Sequence, residues 1–143
     1  MKKGSTIIES VISLAIILIT IALSFQIASI TINSIALRKN KEKGNRIAYA
    51  IENEIKYNFT ISELETIFNN SNLSLKYSDN IIELLSEKSL LLIERGNEII
   101  ITKVKDESTE ENYKIYVFRI QILNPRGGVL TEREFIKSYW MDI

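Results

Sequence analysis

The chain has 143 residues, 45% of them hydrophobic, and its 18 basic and 18 acidic side chains cancel to a formal net charge of zero. That length holds one modest domain plus an appended element, and the balanced charge argues against direct nucleic-acid binding, which asks for a basic face. Neither Cys nor His is present, which removes a disulfide framework, thiolate metal sites, the commonest general base and the commonest metal ligand; the chain is expected to be no enzyme and to need no metal or cofactor.

The opening Met1-Lys2-Lys3-Gly4 is short and basic, and from Ser5 to Leu37 only Glu9 carries a charge. A hydrocarbon core of about 30 Å needs roughly 20 helical residues, whereas the apolar part of a cleavable secretory signal spans only about 7–15. The charge-free run from Ser10 to Leu37 therefore reads as a membrane-spanning helix and fits an ordinary signal peptide poorly. Its later half carries Ser24, Gln26, Ser29, Thr31, Asn33 and Ser34, side chains suited to a helix that leaves lipid or packs on other helices.

Ile47, Ile51 and Ile55 recur every four residues, with Ala48 and Phe59 beside them, so the helix is expected to continue to about Tyr57 with one face on a core. Gly44 is the expected place for a bend. The spacing Ser62-Glu63-Leu64-Glu65 is that of a capping box and predicts a short helix over about Glu63 to Asn69. Five segments rich in Ile, Leu, Val and Tyr then read as strands: Leu73 to Tyr77, Ile81 to Leu85, Leu90 to Glu94, Glu98 to Val104 and Tyr113 to Leu123. Gly96-Asn97 reads as a hairpin turn, on the ground that glycine supplies a positive φ. In the last of these strands Tyr116, Phe118, Ile120 and Ile122 form one face, and apolar residues on the other face mark it as central. Asn124-Pro125-Arg126-Gly127-Gly128 must turn, and Val129 to Met141 returns as a strand or a short helix, with Phe135, Tyr139 and Trp140 as packing anchors.

The segment Lys2-Lys3-Gly4-Ser5-Thr6-Ile7-Ile8-Glu9-Ser10-Val11-Ile12-Ser13-Leu14-Ala15-Ile16 resembles the prepilin leader of type IV pilins and type II secretion pseudopilins. The resemblance combines a basic leader, a glycine before the cut, a Thr second and a carboxylate fifth after it, and an unbroken apolar helix. It covers about the first quarter of the chain. It implies cleavage between Gly4 and Ser5 by a membrane-embedded prepilin peptidase, N-methylation of Ser5, and leader recognition through Lys2, Lys3 and Thr6. Phe is usual in the family where Ser5 stands, a departure that bears on methylation more than on cleavage.

Each of these residues also has a physical reading. Gly4 lacks a side chain and suits a scissile bond that must enter a narrow site in extended form, and Lys2 and Lys3 hold the leader on the cytoplasmic side. A charge at mid-bilayer costs about 2.5–3.5 kcal/mol on insertion scales and tends to be retained for a role. Glu9 would find its cation in the Ser5 amine of a neighbouring subunit, so that staggered helices neutralise both charges. The plain reading of Glu9 is a first-turn carboxylate favoured by the helix dipole and near enough to the interface to reach water. Arg38, Lys39, Lys41 and Lys43 outnumber Lys2 and Lys3, and a positive-inside count taken alone would keep the larger domain in the cytoplasm.

The expected organisation is a leader over 1–4, a transmembrane or filament-core helix over 5–37, an amphipathic continuation over 38–60 and a β-rich head over 61–143. The fold class is α+β: a long N-terminal α-helix, apolar in its first half, on a small antiparallel sheet. By resemblance the chain is a structural subunit of a pilus or pseudopilus. Major pilins of the type IVa group carry a helix-breaking proline within this helix, and the only proline here is Pro125, so the resemblance implies a minor subunit. Its partners would be the prepilin peptidase, other pilin or pseudopilin subunits, the inner-membrane assembly platform and the membrane, with the head outside the cell membrane. A competence pseudopilin for DNA uptake and a single-span membrane-anchored sensor or binding domain are the competing readings. Asp106 to Glu111 offers oxygen ligands without the spacing of a calcium loop, and an acidic run between strands is ordinarily solvated. Asn58-Phe59-Thr60 matches a glycosylation sequon by chance frequency, and Gly127-Gly128 lacks the Lys-Ser/Thr pair of a phosphate loop.

Overall fold

The computed structural model describes residues 3–69, 72–108, 113–125 and 127–142, the first three by backbone alone. Helix α1 (Lys3–Asn58) runs as one uninterrupted element, and the chain divides after Lys39 into two compact units. In the first unit every described side chain from Thr6 to Lys39 is exposed.

In the second unit the remainder of α1 lies on a four-stranded antiparallel sheet of order β1-β2-β3-β4. The strands are β1 (Leu73–Leu75), β2 (Ile99–Asp106), β3 (Ile115–Leu123) and β4 (Val129–Ser138). The fold is thus α+β, as the sequence pattern indicates. Register places the apolar residues on one face: Ile99 pairs with Ile122, Ile101 with Ile120 and Phe118 with Phe135. The alternate β3 residues Tyr116, Phe118, Ile120 and Ile122 are all buried there, and β3 is flanked on both sides. Ile47, Ala48, Ile51 and Ile55 of α1, each fully buried, supply the opposing layer. Phe118 sits among Phe68 at 5.1 Å, Phe135 at 5.6 Å and Tyr116 at 6.4 Å between ring centroids.

Gly44 does not break α1. It is buried within the helix, and a Cβ there would lie 3.3 Å from Thr131 Oγ1, so its smallness serves close approach to β4. Helix α2 (Ile61–Phe68) begins two residues earlier than the sequence spacing indicates. The capping box is Thr60 with Glu63, whose carboxylate accepts the Thr60 N–H at 2.8 Å. Ser62 lies inside the helix, and Glu65 turns instead to Lys114 at 2.5 Å and to the Tyr116 hydroxyl.

Two expected strands are helical. Ile81–Glu87 forms helix α3, because Ile81 and Leu85, four apart, both reach the core. Leu90–Leu92 is a 3-10 turn that buries only Leu90 and leaves Leu92 72% exposed. A short run of aliphatic residues fits strand and helix alike, and the burial spacing decides.

Gly96-Asn97 is not a positive-φ hairpin turn: among the described residues Gly127 alone has positive φ, at 80°. Arg95 bridges to Leu75 and the Gly96 N–H donates to the Ser74 carbonyl at 3.4 Å, covering part of the β1 edge. A Cβ on Gly96 would lie 2.6 Å from Lys76 Cα, so glycine is required for proximity. After Pro125, the Gly127 N–H donates to the Asn124 carbonyl at 2.9 Å; Arg126 lies outside the described residues. Val129 to Met141 is strand followed by a 3-10 turn (Tyr139–Met141). Of its three expected anchors only Phe135 is buried; Tyr139 and Trp140 are 41% and 65% exposed, beyond the end of the β4 ladder.

Candidate functional site

The first part of α1 is long and apolar enough to cross a membrane. Ile7, Ile12, Leu18 and Phe25 are all more than half exposed, a display of apolar side chains far beyond what a soluble monomer carries. At 100° per residue, Thr6, Ser10, Ser13, Thr20, Ser24 and Thr31 fall along one side of the helix, and Glu9 lies beside them. Five of the hydroxyls donate back to the carbonyl four residues earlier: Ser10 to Thr6, Ser13 to Glu9, Thr20 to Ile16 and Ser24 to Thr20, each at 2.8 Å, and Thr31 to Ile27 at 2.9 Å. They are satisfied within the helix itself.

Glu9 differs from them. It is exposed, and among the described residues its carboxylate has neither a hydrogen-bond donor nor a cation. It shares a shallow groove on the helix surface with Thr6, Ser10, Ser13, Leu14 and Ile17. Gln26 and Asn33, seven residues apart and on another side of the helix, are likewise without side-chain hydrogen bonds among the described residues.

Of the expected processing residues, Lys2 lies outside the described residues, and Lys3, Gly4 and Ser5 are described by backbone alone. That backbone is helical. Thr6 is exposed.

In the acidic run, Asp106 accepts from the Ser108 N–H at 3.0 Å and from its hydroxyl at 2.5 Å, and Glu107 pairs with Lys105. The Ser108 hydroxyl chiefly holds the Asp106 carboxyl below its ordinary range. The rest of that run, residues 109–112, lies outside the described residues. No group of three or more acidic, His or Cys side chains able to hold a metal occurs among the described residues.

Sequence reasoning passed over a polar seam between α1 and β4. Thr131 donates to the Asn45 side chain at 3.1 Å, Arg133 pairs with Glu52, and the Lys137 ammonium, 1% exposed, donates to the Lys56 carbonyl at 2.8 Å. Burial on its own would raise the Glu52 pKa; hydrogen bonds from Lys56 and Arg133 outweigh it and hold the carboxyl below its usual value. Lys114 and Tyr116 do the same for Glu65. The same contact, added to burial, raises the Tyr116 hydroxyl.

No protein-family model, curated protein or solved structure matches the chain.

Proposed function

We propose that this chain is a structural subunit, of the minor kind, in a type IV pilus or a related type II secretion pseudopilus. It is cut between Gly4 and Ser5, held in the cell membrane by a single span with its second unit outside, and assembled through its N-terminal helix. The observation that carries this reading is Glu9: a carboxylate in an otherwise charge-free apolar run, exposed and without a side-chain partner among the described residues. Such a group is costly in hydrocarbon and calls for a cation from outside. The new amine at Ser5 of an adjacent subunit has the right charge, and its position four residues before the carboxylate would favour helices packed with an axial stagger.

The test is the N-terminal mass of the chain extracted from a cell with working pilus machinery. A chain beginning at Ser5 supports the reading, and an intact Met1-Lys2-Lys3 overturns it. Glu9→Ala tests the pairing separately, because a variant that enters filaments normally would remove the charge mechanism while leaving the processing intact.

The basic residues after Leu37 favour a second reading, a single-span membrane-anchored binding module that is never processed. In that case the cleft of about 400 Å³ near Lys43, Tyr77 and Asp79 would be the place to look for a ligand. The same mass measurement separates the two.

A further inference from the structure

The charge-free run ends at Leu37, and five cations follow within nine positions: Arg38, Lys39, Lys41, Lys43 and Arg46, against the one acid Glu42. In a chain whose charges cancel overall, this is a strong local excess. Lys43 is already engaged, 2.5 Å from Asp79 and 5.8 Å from the Tyr77 ring centroid. The other four are exposed and make no ion pair or hydrogen bond through their side chains among the described residues.

We propose that Arg38, Lys39, Lys41 and Arg46 dock on acidic phospholipid headgroups at the membrane surface where the apolar helix emerges. The partner follows from chemistry and chain position. A helical residue advances about 1.5 Å, so Arg38, Lys39 and Lys41 follow within about 6 Å of the last apolar position, at headgroup depth, while Arg46 lies about 13 Å beyond it and acts on the charged surface at longer range. There, phosphate and glycerophosphate groups supply the anions that the protein does not, and arginine adds bidentate phosphate contacts. Clustered juxtamembrane cations gain affinity for anionic lipid with each charge. The inference rests on the membrane-span part of the reading above and is independent of processing and filament assembly.

The test reconstitutes the full chain in phosphatidylcholine vesicles containing a trace of spin-labelled lipid, either phosphatidylglycerol or phosphatidylcholine. The fraction of each label immobilised by the protein is then compared. At about 10 mM salt the acidic label is expected to be favoured roughly threefold, and at about 1 M salt, where screening shortens to about 3 Å, the two labels should come level. The variant R38Q/K39Q/K41Q/R46Q should also show no preference, whereas K2Q/K3Q should keep it. Equal immobilisation of both labels by the unaltered chain, or a preference that survives the fourfold substitution, overturns the proposal and leaves the span intact. If neither label is immobilised, the span itself fails and the proposal with it. Loss of the preference to inorganic phosphate, but not to chloride of equal ionic strength, would assign the cluster to free phosphate and overturn headgroup docking.

Discussion

The Lys137 ammonium, 1% exposed, lies 2.7 Å from the Asp142 carboxylate, and the other Asp142 oxygen accepts the Ile61 N–H at 2.8 Å. The two residues join the end of β4, the last carbonyls of α1 and the first turn of α2. One buried cation thus gathers helix-end groups that would otherwise be left unpaired.

Replacing Lys137 by Met should destabilise the second unit by about 1–3 kcal/mol, because it leaves the Lys56 carbonyl without the ammonium that donates to it and takes the cation from the exposed Asp142 carboxylate, which keeps the Ile61 N–H. Asp142→Asn keeps an acceptor for Ile61 and should cost only about 1 kcal/mol. Urea unfolding in detergent, followed by near-ultraviolet circular dichroism, measures both. Equal losses would contradict the central place of the ammonium.

Stability should fall on acidification. The Glu52, Glu63, Glu65 and Asp106 carboxyls are all held below their ordinary values. A depressed native pKa contributes stability in full above the unfolded value of about 4, and that contribution disappears as pH drops through the native value. The raised Tyr116 hydroxyl works the other way: its contribution is complete below about pH 10 and is lost as pH rises beyond that. Thermal midpoints should therefore be flat between about pH 5 and 10 and decline on either side. Glu52→Gln should shorten the acid limb while lowering the plateau.

Gly96 and Gly127 should fail differently. Gly127 has φ of 80° and open space around a built Cβ, so Gly127→Ala should cost about 1–2 kcal/mol through backbone conformation, with Gly127→Asn recovering part of it. At Gly96 the obstacle is the Lys76 backbone, and a Cβ overpacks the site by about 1–3 kcal/mol. There Gly96→Asn should be worse than Gly96→Ala, and a reversed order would refute the steric assignment.

Ile51→Ala removes a fully buried side chain between helix and sheet and should cost about 3–4 kcal/mol. Leu92→Ala, at a 72% exposed position, should stay within about 0.5 kcal/mol. Denaturant midpoints of the two variants give the comparison.

Periodicity carried most of the fold. The spacing of Ile47, Ile51 and Ile55 marks the buried helix face, and the alternation of Tyr116, Phe118, Ile120 and Ile122 marks the central strand, because each repeats over several turns or pleats. Ile81 to Leu85 is too short for either period to declare itself. Thr60 and Ser62 both begin a Ser/Thr-x-x-Glu spacing, and the choice between them depends on Lys114 and Tyr116, about fifty residues away. Lys137 gives no sign of burial in sequence, since lysine is ordinarily a surface residue and its ligands come from three separate elements. In the apolar helix, Glu9 stands out at once as an isolated charge, whereas the back-bonding of its neighbouring hydroxyls is a matter of side-chain torsion that residue identity leaves open.

That back-bonding decides how α1 responds to a change of surroundings. Ser10, Ser13, Thr20, Ser24 and Thr31 bring their own acceptors, so moving them from lipid to protein neighbours breaks no hydrogen bond and alters only packing. Glu9, Gln26, Ser29, Asn33 and Ser34, whose side chains make no hydrogen bond among the described residues, are left as the points at which the helix can distinguish one environment from another.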